Sequence, residues 1–435
     1  MKSLTLKPTN YFMTNYLGYF LYIISTKSFF LLLKIISPFN KRAKQFVIGR
    51  KDIFKHISQS IQGDKRKSIW FHVSSLGEFE QARPVIEKLK IIYPNHKYIV
   101  TVFSPSGYEI RKNDAVADFI FYLPNDSRKN AKNLIGLFKP ELVFWVKYDF
   151  WFFYLNELKK LKISTFLIDA SFNNKQVYFK KYAVFYKKIL SNFTYIFTQN
   201  ELSKTLLESI NILNVKITGD TRFDRVYNAL QLTENLDLIS KFKGEYLLIV
   251  LGSSYELEEQ MLVNYLAKNK TQKIKIIIAP HFINEDKLED VETFFPENII
   301  RYSKANATFI ANYDSLLIDN IGMLSKIYKY ADISFIGGGF KSRGLHNILE
   351  AATFGNAIIY GDELDYFPEA IDFLKNEAAI CVKNQSDFDE SMNKLINNYE
   401  IRQKFGNNAQ QQILKNVGAT EKIIDFITKA YLHLN

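Results

Sequence analysis

Ile69-Trp70-Phe71-His72-Val73-Ser74-Ser75-Leu76-Gly77-Glu78-Phe79-Glu80 runs from a β-rich apolar stretch, through a Ser-Ser-x-Gly turn, into a helical pattern that lasts to Ile92. Phe79, Ala82, Val85, Ile86 and Leu89 recur on one helical face. A strand followed at once by an amphipathic helix is half of a parallel α/β unit, and the pattern repeats outward from it. Tyr98–Phe103, Phe119–Leu123, Leu142–Val146, Ser164–Ile168 and Tyr195–Thr198 are the further strands of a first series. Strand signals fade between Asp220 and Gly244. A second series then begins at Tyr246–Leu251 and continues through Lys275–Ala279, Ser315–Ile318, Ile333–Ile336, Ala357–Tyr360 and Ala379–Val382.

A chain of 435 residues exceeds what one hydrophobic core usually serves, so two Rossmann-like, doubly wound α/β domains are expected. Their boundaries read as an N-terminal segment 1–40, a first domain 41–225, a linker 226–244 and a second domain 245–435. Helices from Ser386 to Leu434 are placed to pack back onto the first domain. Ligands of such domains bind beyond the carboxyl ends of the strands, in the crevice between the two.

The 57 Lys and Arg against 45 Asp and Glu leave a net charge of +12, which favours an anionic partner: phospholipid headgroups, a phosphorylated substrate or nucleic acid. No nucleic-acid-binding module is recognisable. The single cysteine, Cys381, excludes an internal disulfide and reads as a small core residue. The six histidines (His56, His72, His96, His281, His346, His433) have no metal-ligand spacing, so no metal is expected.

Tyr11 to Phe39 is nearly all apolar, interrupted by Lys27 and Lys34, and no small-residue cleavage site follows it. It reads as an uncleaved anchor, with a buried amphipathic helix as the other reading. Lys41, Arg42, Lys44, Arg50, Lys51 and Lys55 come directly after it. This basic flank places the body on the cytoplasmic face of the membrane, against an anionic lipid surface.

Two turns carry candidate chemistry. Glu78 stands in the first turn of a helix, where the macrodipole favours its ionised form, and so is a candidate general base; a plain first-turn acid is the other reading. Phe335-Ile336-Gly337-Gly338-Gly339-Phe340-Lys341-Ser342-Arg343-Gly344-Leu345-His346-Asn347-Ile348-Leu349-Glu350 ends a strand in glycines and enters a helix, the form of a phosphate cradle, with Asn347 and Glu350 one turn on for ribose hydroxyls. It is neither a Walker loop nor a clean GxGxxG. Gly252-Ser253-Ser254 and Ala279-Pro280-His281 end two other strands of the second domain, where either ligand contact or turn chemistry explains them.

Taken in order, Ser75 to Glu78, Phe150-Trp151, Thr218-Gly219-Asp220-Thr221-Arg222-Phe223-Asp224, Gly252-Ser253-Ser254, Ala279-Pro280, and Gly337-Gly338 followed by His346-Asn347-Ile348-Leu349-Glu350 resemble the Kdo (3-deoxy-D-manno-octulosonic acid) transferase family of lipopolysaccharide assembly. That resemblance implies a GT-B fold and an inverting, metal-independent transfer of Kdo from CMP-Kdo to a lipid A precursor. Glu78 is then the base; Gly252, Ser253, Ser254, Pro280, His281, Gly337, Gly338, Gly339, Asn347 and Glu350 hold the donor. Ser75 and Gly77, with Arg50 and Lys51, face the acceptor and its anionic headgroup. The chain departs from the family where Ala279-Pro280-His281-Phe282 lacks the arginine of Ala-Pro-Arg-His, leaving Lys341 or Arg343 to replace it. Asp169-Ala170-Ser171-Phe172 likewise lacks a usual arginine. The competing readings are another GT-B enzyme with a UDP-sugar donor and a lipid-linked acceptor, a sugar-nucleotide epimerase, and a non-enzymatic basic protein.

Overall fold

The computed structural model of the chain describes residues 8–180, 182–232, 234–269, 273–295, 298–341, 343–364 and 367–430. The start of the expected anchor, Thr233 of the expected linker, and His433 lie outside them. The chain divides into two units: one runs up to Arg225 and resumes at Gly418, and the other is Val226–Val417.

In the first unit, β1 (Ser68–Val73), β2 (Lys97–Val102), β3 (Phe119–Tyr122), β4 (Pro140–Val146), β5 (Ser164–Ala170), β6 (Tyr195–Thr198) and β7 (Val215–Ile217) form a parallel sheet in the order β3-β2-β1-β4-β5-β6-β7. Side chains alternate between its faces: Trp70 packs into one core layer, with Trp145 and Phe138, while Ile69, Phe71 and Val73 pack into the other. Register sets Phe71 opposite Phe144 and Phe144 opposite Phe166; the first pair of rings stacks at 4.6 Å and the second is tilted at 5.4 Å. Helices on both faces bury nearly every residue of β1, β2 and β4.

The second unit repeats this plan with β8 (Leu247–Ser254), β9 (Ile274–Pro280), β10 (Ile299–Arg301), β11 (Ser315–Leu317), β12 (Ile333–Ile336), β13 (Ala357–Gly361) and β14 (Ile380–Val382), ordered β10-β11-β9-β8-β12-β13-β14. The strand order reverses direction at β1/β4 in the first sheet and at β8/β12 in the second, the two places where such sheets open a binding crevice. Cys381 in β14 is half-buried rather than in the core, and burial pushes its thiol up to about 11.

Among the described residues, 226–244 hold no strand, as expected, and are helical rather than extended. The helix Thr221–Leu232 and the helix Asp237–Lys243 occupy most of the segment. The expected C-terminal helical tail is three helices, Gln385–Asn397, Tyr399–Asn416 and Ala419–Ala430, and the last belongs to the first unit.

The N-terminal helix Pro8–Ile36 contains a stretch, Asn15–Ile36, long and apolar enough to cross a membrane. One of its faces is built into the first unit. Tyr22 Oη donates to Asp126 at 2.5 Å, and Asp126 also accepts from the backbone N–H groups of Phe153 and Tyr154, at 3.1 and 3.3 Å, at the start of the helix Phe152–Lys160. The rings of Tyr19 and Tyr22 pack edge-on or tilted against Phe152 and Phe185. Another face, carrying Leu17, Phe20, Leu21, Ile24, Leu31, Leu32 and Ile35, is exposed.

Candidate functional site

Glu78 owes its position to the turn after β1. Ser75 caps the helix Leu76–Ile92, accepting from the Glu78 N–H at 3.4 Å, and the Glu78 carboxylate reaches back to accept from the Ser74 N–H. This variant of the capping box pins the acid at the carboxyl end of the strand. Across the β1/β4 switch point stands Lys147-Tyr148-Asp149, the loop that follows β4.

Glu78 is only 9% exposed, and burial, with Asp149 adding to it, pushes its pKa up to about 7 against the opposing pull of the Ser74 N–H and Lys147. This corrects the expectation of a carboxylate held ionised by the helix. The dipole contributes at most ~2 kcal/mol, and desolvation outweighs it. Burial likewise raises Asp149. A group titrating near neutrality is well matched to taking a proton from a hydroxyl. Ser75 and Gly77 are exposed at the lip of the turn. Buried polar atoms without a hydrogen-bond partner lie at this end of the sheet: Trp151 Nε1 after β4, and Thr198 Oγ1 and Gln199 Nε2 at β6. Such unspent donors and acceptors suit a polar ligand.

The residues Thr218 to Asp224 prove largely architectural. Thr221 donates from its N–H and its hydroxyl to Asp169, at 2.8 and 2.6 Å. Asp220 receives the Arg222 guanidinium, which holds its carboxyl below the usual range in spite of burial, while Asp169 is pushed up by burial and by Asp220. Asp224 accepts from the N–H groups of Gly418 and Thr420 and so caps the helix Ala419–Ala430. Glu80, two residues on from Glu78, is 7% exposed and pairs with Arg83, Arg111 and Arg225.

Arg50 is not available to an anionic headgroup. Its Nε donates to the Leu123 carbonyl at 2.8 Å, one terminal nitrogen to the Phe103 carbonyl at 2.7 Å and the other to the Phe46 carbonyl at 3.2 Å. The guanidinium lies 3.6 Å over the Phe46 ring, and burial lowers its pKa to about 9. It ties the basic segment to the ends of β2 and β3. Arg50→Ala should therefore lower stability by about 2–3 kcal/mol, since a charged donor group is removed from buried carbonyls; thermal melts against an exposed Lys51→Ala control measure it.

In the second unit the sequence-selected residues converge at the β8/β12 switch point. Ser253, with φ 52°, and Ser254 end β8, Gly337 follows β12, and the His281 N–H donates to the Ser254 carbonyl at 2.9 Å. The glycine turn differs from a bare phosphate cradle. Gly337 N–H is bonded to the Gly252 carbonyl, Gly338 N–H to the Glu258 carboxylate and Gly339 N–H to the Arg343 carbonyl, each at 2.8 Å. The following helix is the five-residue Leu349–Thr353, starting later than the sequence suggested and too short for a strong dipole.

Cationic side chains stand beside this turn. Lys341 and Arg343, both exposed, line a cavity of about 230 Å³ with Glu256, Leu257, Glu258 and Phe340. The Arg343 guanidinium sits 4.4 Å over Tyr255, whose ring stacks on His346 (5.6 Å), which in turn stacks on His281 (4.5 Å). Burial lowers His346 to about 4 and also lowers His281, so the imidazoles are neutral and Arg343 carries the charge of the pile. Asn347, exposed, donates to the half-buried Glu350 at 3.1 Å.

Sequence reasoning missed Tyr255, Glu258 and Lys147-Tyr148-Asp149. The last was open to the argument used for Ser74 to Glu78, being a polar run directly after a strand. Among the described residues, no group of three or more His, Cys, Asp or Glu side chains is arranged to hold a metal ion.

Residues 49–225 match the family model described as 3-deoxy-D-manno-octulosonic-acid transferase (kdotransferase). The chain is 26% identical over 417 residues to a 3-deoxy-D-manno-octulosonic acid transferase of Rickettsia bellii, covering 94% of this chain and 97% of that protein. With the protein of the same description from Rickettsia typhi it shares 28% over 377 residues, 84% of this chain and 78% of that one. Among solved structures, the UDP-GlcNAc 2-epimerase of Neisseria meningitidis bound to UDP-GlcNAc aligns with a TM-score of 0.59 at 18% identity, over 83% of this chain and 100% of that one. That likeness is one of fold, the GT-B type.

Proposed function

We propose that this chain, similar to 3-deoxy-D-manno-octulosonic acid transferases over nearly its whole length, is a glycosyltransferase of that family and moves Kdo from CMP-Kdo onto a lipid A precursor, a tetraacylated disaccharide bisphosphate, during lipopolysaccharide synthesis. The observation that carries the mechanism is Glu78, held at the first switch point with its pKa near neutrality. Ionised Glu78 takes the proton of an acceptor hydroxyl as that oxygen bonds to the anomeric carbon of Kdo. The bond from that carbon to the CMP phosphate breaks on the opposite side, its electron pair leaves with CMP, and the configuration inverts. In this reading Lys341 and Arg343 offset the charge of the departing phosphate, and Asn347 with Glu350 bind ribose hydroxyls.

The reaction needs no metal in this reading, and a chelator should leave the rate unchanged. The exposed apolar face of the N-terminal helix and the basic segment after it fit work at the cytoplasmic face of the inner membrane, where an acylated acceptor resides. The test is incubation of the full chain in neutral detergent with CMP-Kdo and the lipid A precursor, reading product mass and CMP release. Absence of product together with turnover of a UDP-sugar would replace this reading by that of another GT-B transferase.

A further inference from the structure

Between the N-terminal helix Pro8–Ile36 and the body of the first unit lies a cavity of about 470 Å³. One wall is a single helical face, Ile23, Lys27, Phe30 and Lys34, which runs for roughly 16 Å at the helical rise per residue. The other wall is the turn Asn125 to Ser127 with Asn130 and Phe153. The floor is fixed by the bond between Tyr22 and Asp126, whose oxygens are occupied by Tyr22 and by the N–H groups of Phe153 and Tyr154.

Three features of this cavity point to a lipid phosphate. Lys27 and Lys34, seven residues apart and so on one face, are exposed and have no ion-pair partner among the described residues. Ser127 caps the helix Arg128–Phe138, whose first-turn N–H groups add positive potential on the opposite wall. Around the helix, the two lysines separate the face packed on the body from the exposed stripe of Phe20, Ile24, Leu31 and Ile35. Cations beside an apolar stripe are complementary to an amphiphile with an anionic head and acyl chains, and lysines on an apolar helix are costly in a membrane unless an anion meets them.

We propose that this cavity receives a phosphate of the lipid acceptor, gripped by Lys27 and Lys34, with the acyl chains laid along the apolar stripe. This rests on the transferase reading above. The cavity opens at the loops after β3 and β4, the same end of the sheet at which Glu78 stands, so one molecule offers its phosphate here and its hydroxyl there.

The test is equilibrium binding by the full chain in neutral-detergent micelles, comparing the bisphosphorylated acceptor lipid with its dephosphorylated form. The wild type should bind the phosphorylated lipid about 30-fold more tightly, a size set by roughly two lysine contacts. Lys27→Ala/Lys34→Ala should lose that preference while binding the dephosphorylated lipid and CMP as the wild type does. A double variant that keeps the preference would overturn the site. So would loss of the wild-type preference when excess anionic phospholipid is added, because the lysines would then be serving bilayer phosphate in general. Failure of the wild type to transfer Kdo would count against the function, not against this cavity, whose readout is binding.

Discussion

Glu78→Gln should lower kcat by roughly 10²–10⁴, the range supplied by a general base, with affinity for CMP unchanged and the fold intact. Glutamine keeps the shape of the side chain and an oxygen to accept from the Ser74 N–H, so the turn survives while the proton acceptor is lost. The wild-type rate should rise with pH through about 7 and then level off, because only the ionised form accepts a proton, and the variant should lose this limb. Stability should move the other way. A carboxyl raised from 4.5 to about 7 by burial favours the fold only while protonated; that contribution is fully present below 4.5 and is lost as pH rises through 7. At pH 8 the variant should then be more stable than the wild type by up to about 3 kcal/mol, and at pH 4 the two should melt alike. Near-normal turnover by the variant would remove Glu78 as the base.

Gly337→Ala should destabilise the protein by ~3 kcal/mol or more and abolish CMP binding. A Cβ on Gly337 would lie 2.0 Å from the Ser253 carbonyl oxygen, 2.7 Å from its carbon and 2.9 Å from the Ser254 Cα. All three are backbone atoms, so no rotamer change relieves the overlap and the ends of β8 and β12 must separate. Ser253 is already in the left-handed region at φ 52°, which leaves it little room to give. Gly136→Ala is the matched control: in the helix Arg128–Phe138 its added Cβ meets nothing within 4 Å, and it should stabilise by about 0.5–1 kcal/mol. Urea melts of both variants and calorimetry with CMP provide the comparison; an unshifted Gly337→Ala melt would show that these strand ends are not rigidly apposed.

The long buried strands were legible because strands covered on both faces are continuous apolar runs with β-branched and aromatic residues. Val215–Ile217 and Ile299–Arg301 were not, since three residues at or near a sheet edge carry no period to detect. The helix expected to follow the glycine turn begins only at Leu349 because the loop before it folds on itself, with the His346 N–H bonded to the Gly337 carbonyl and the Leu349 N–H to the Asn347 side chain. Glu78 was legible from its turn, but its protonation was not: burial is a property of the packed fold, and the local sequence shows only the helix end. Arg50 was misread for the same reason. In a run of basic residues it looks like its neighbours, and only the fold brings the carbonyls of Phe103 and Leu123 to it. Asp224 is clearer still, since the groups it holds lie 194 and 196 positions away.

The chain leaves the first unit at Arg225 and returns to it at Gly418, where Asp224 waits to cap the final helix. On the ribosome, the portion made first is therefore finished last: Val226–Val417 can emerge and fold as an uninterrupted insert while its host still lacks a helix against Leu76–Ile92. Nascent chains stalled before residue 418 would present the base-bearing unit with its Ile423, Ile424 and Ile427 contacts unfilled, leaving apolar surface for chaperones to cover.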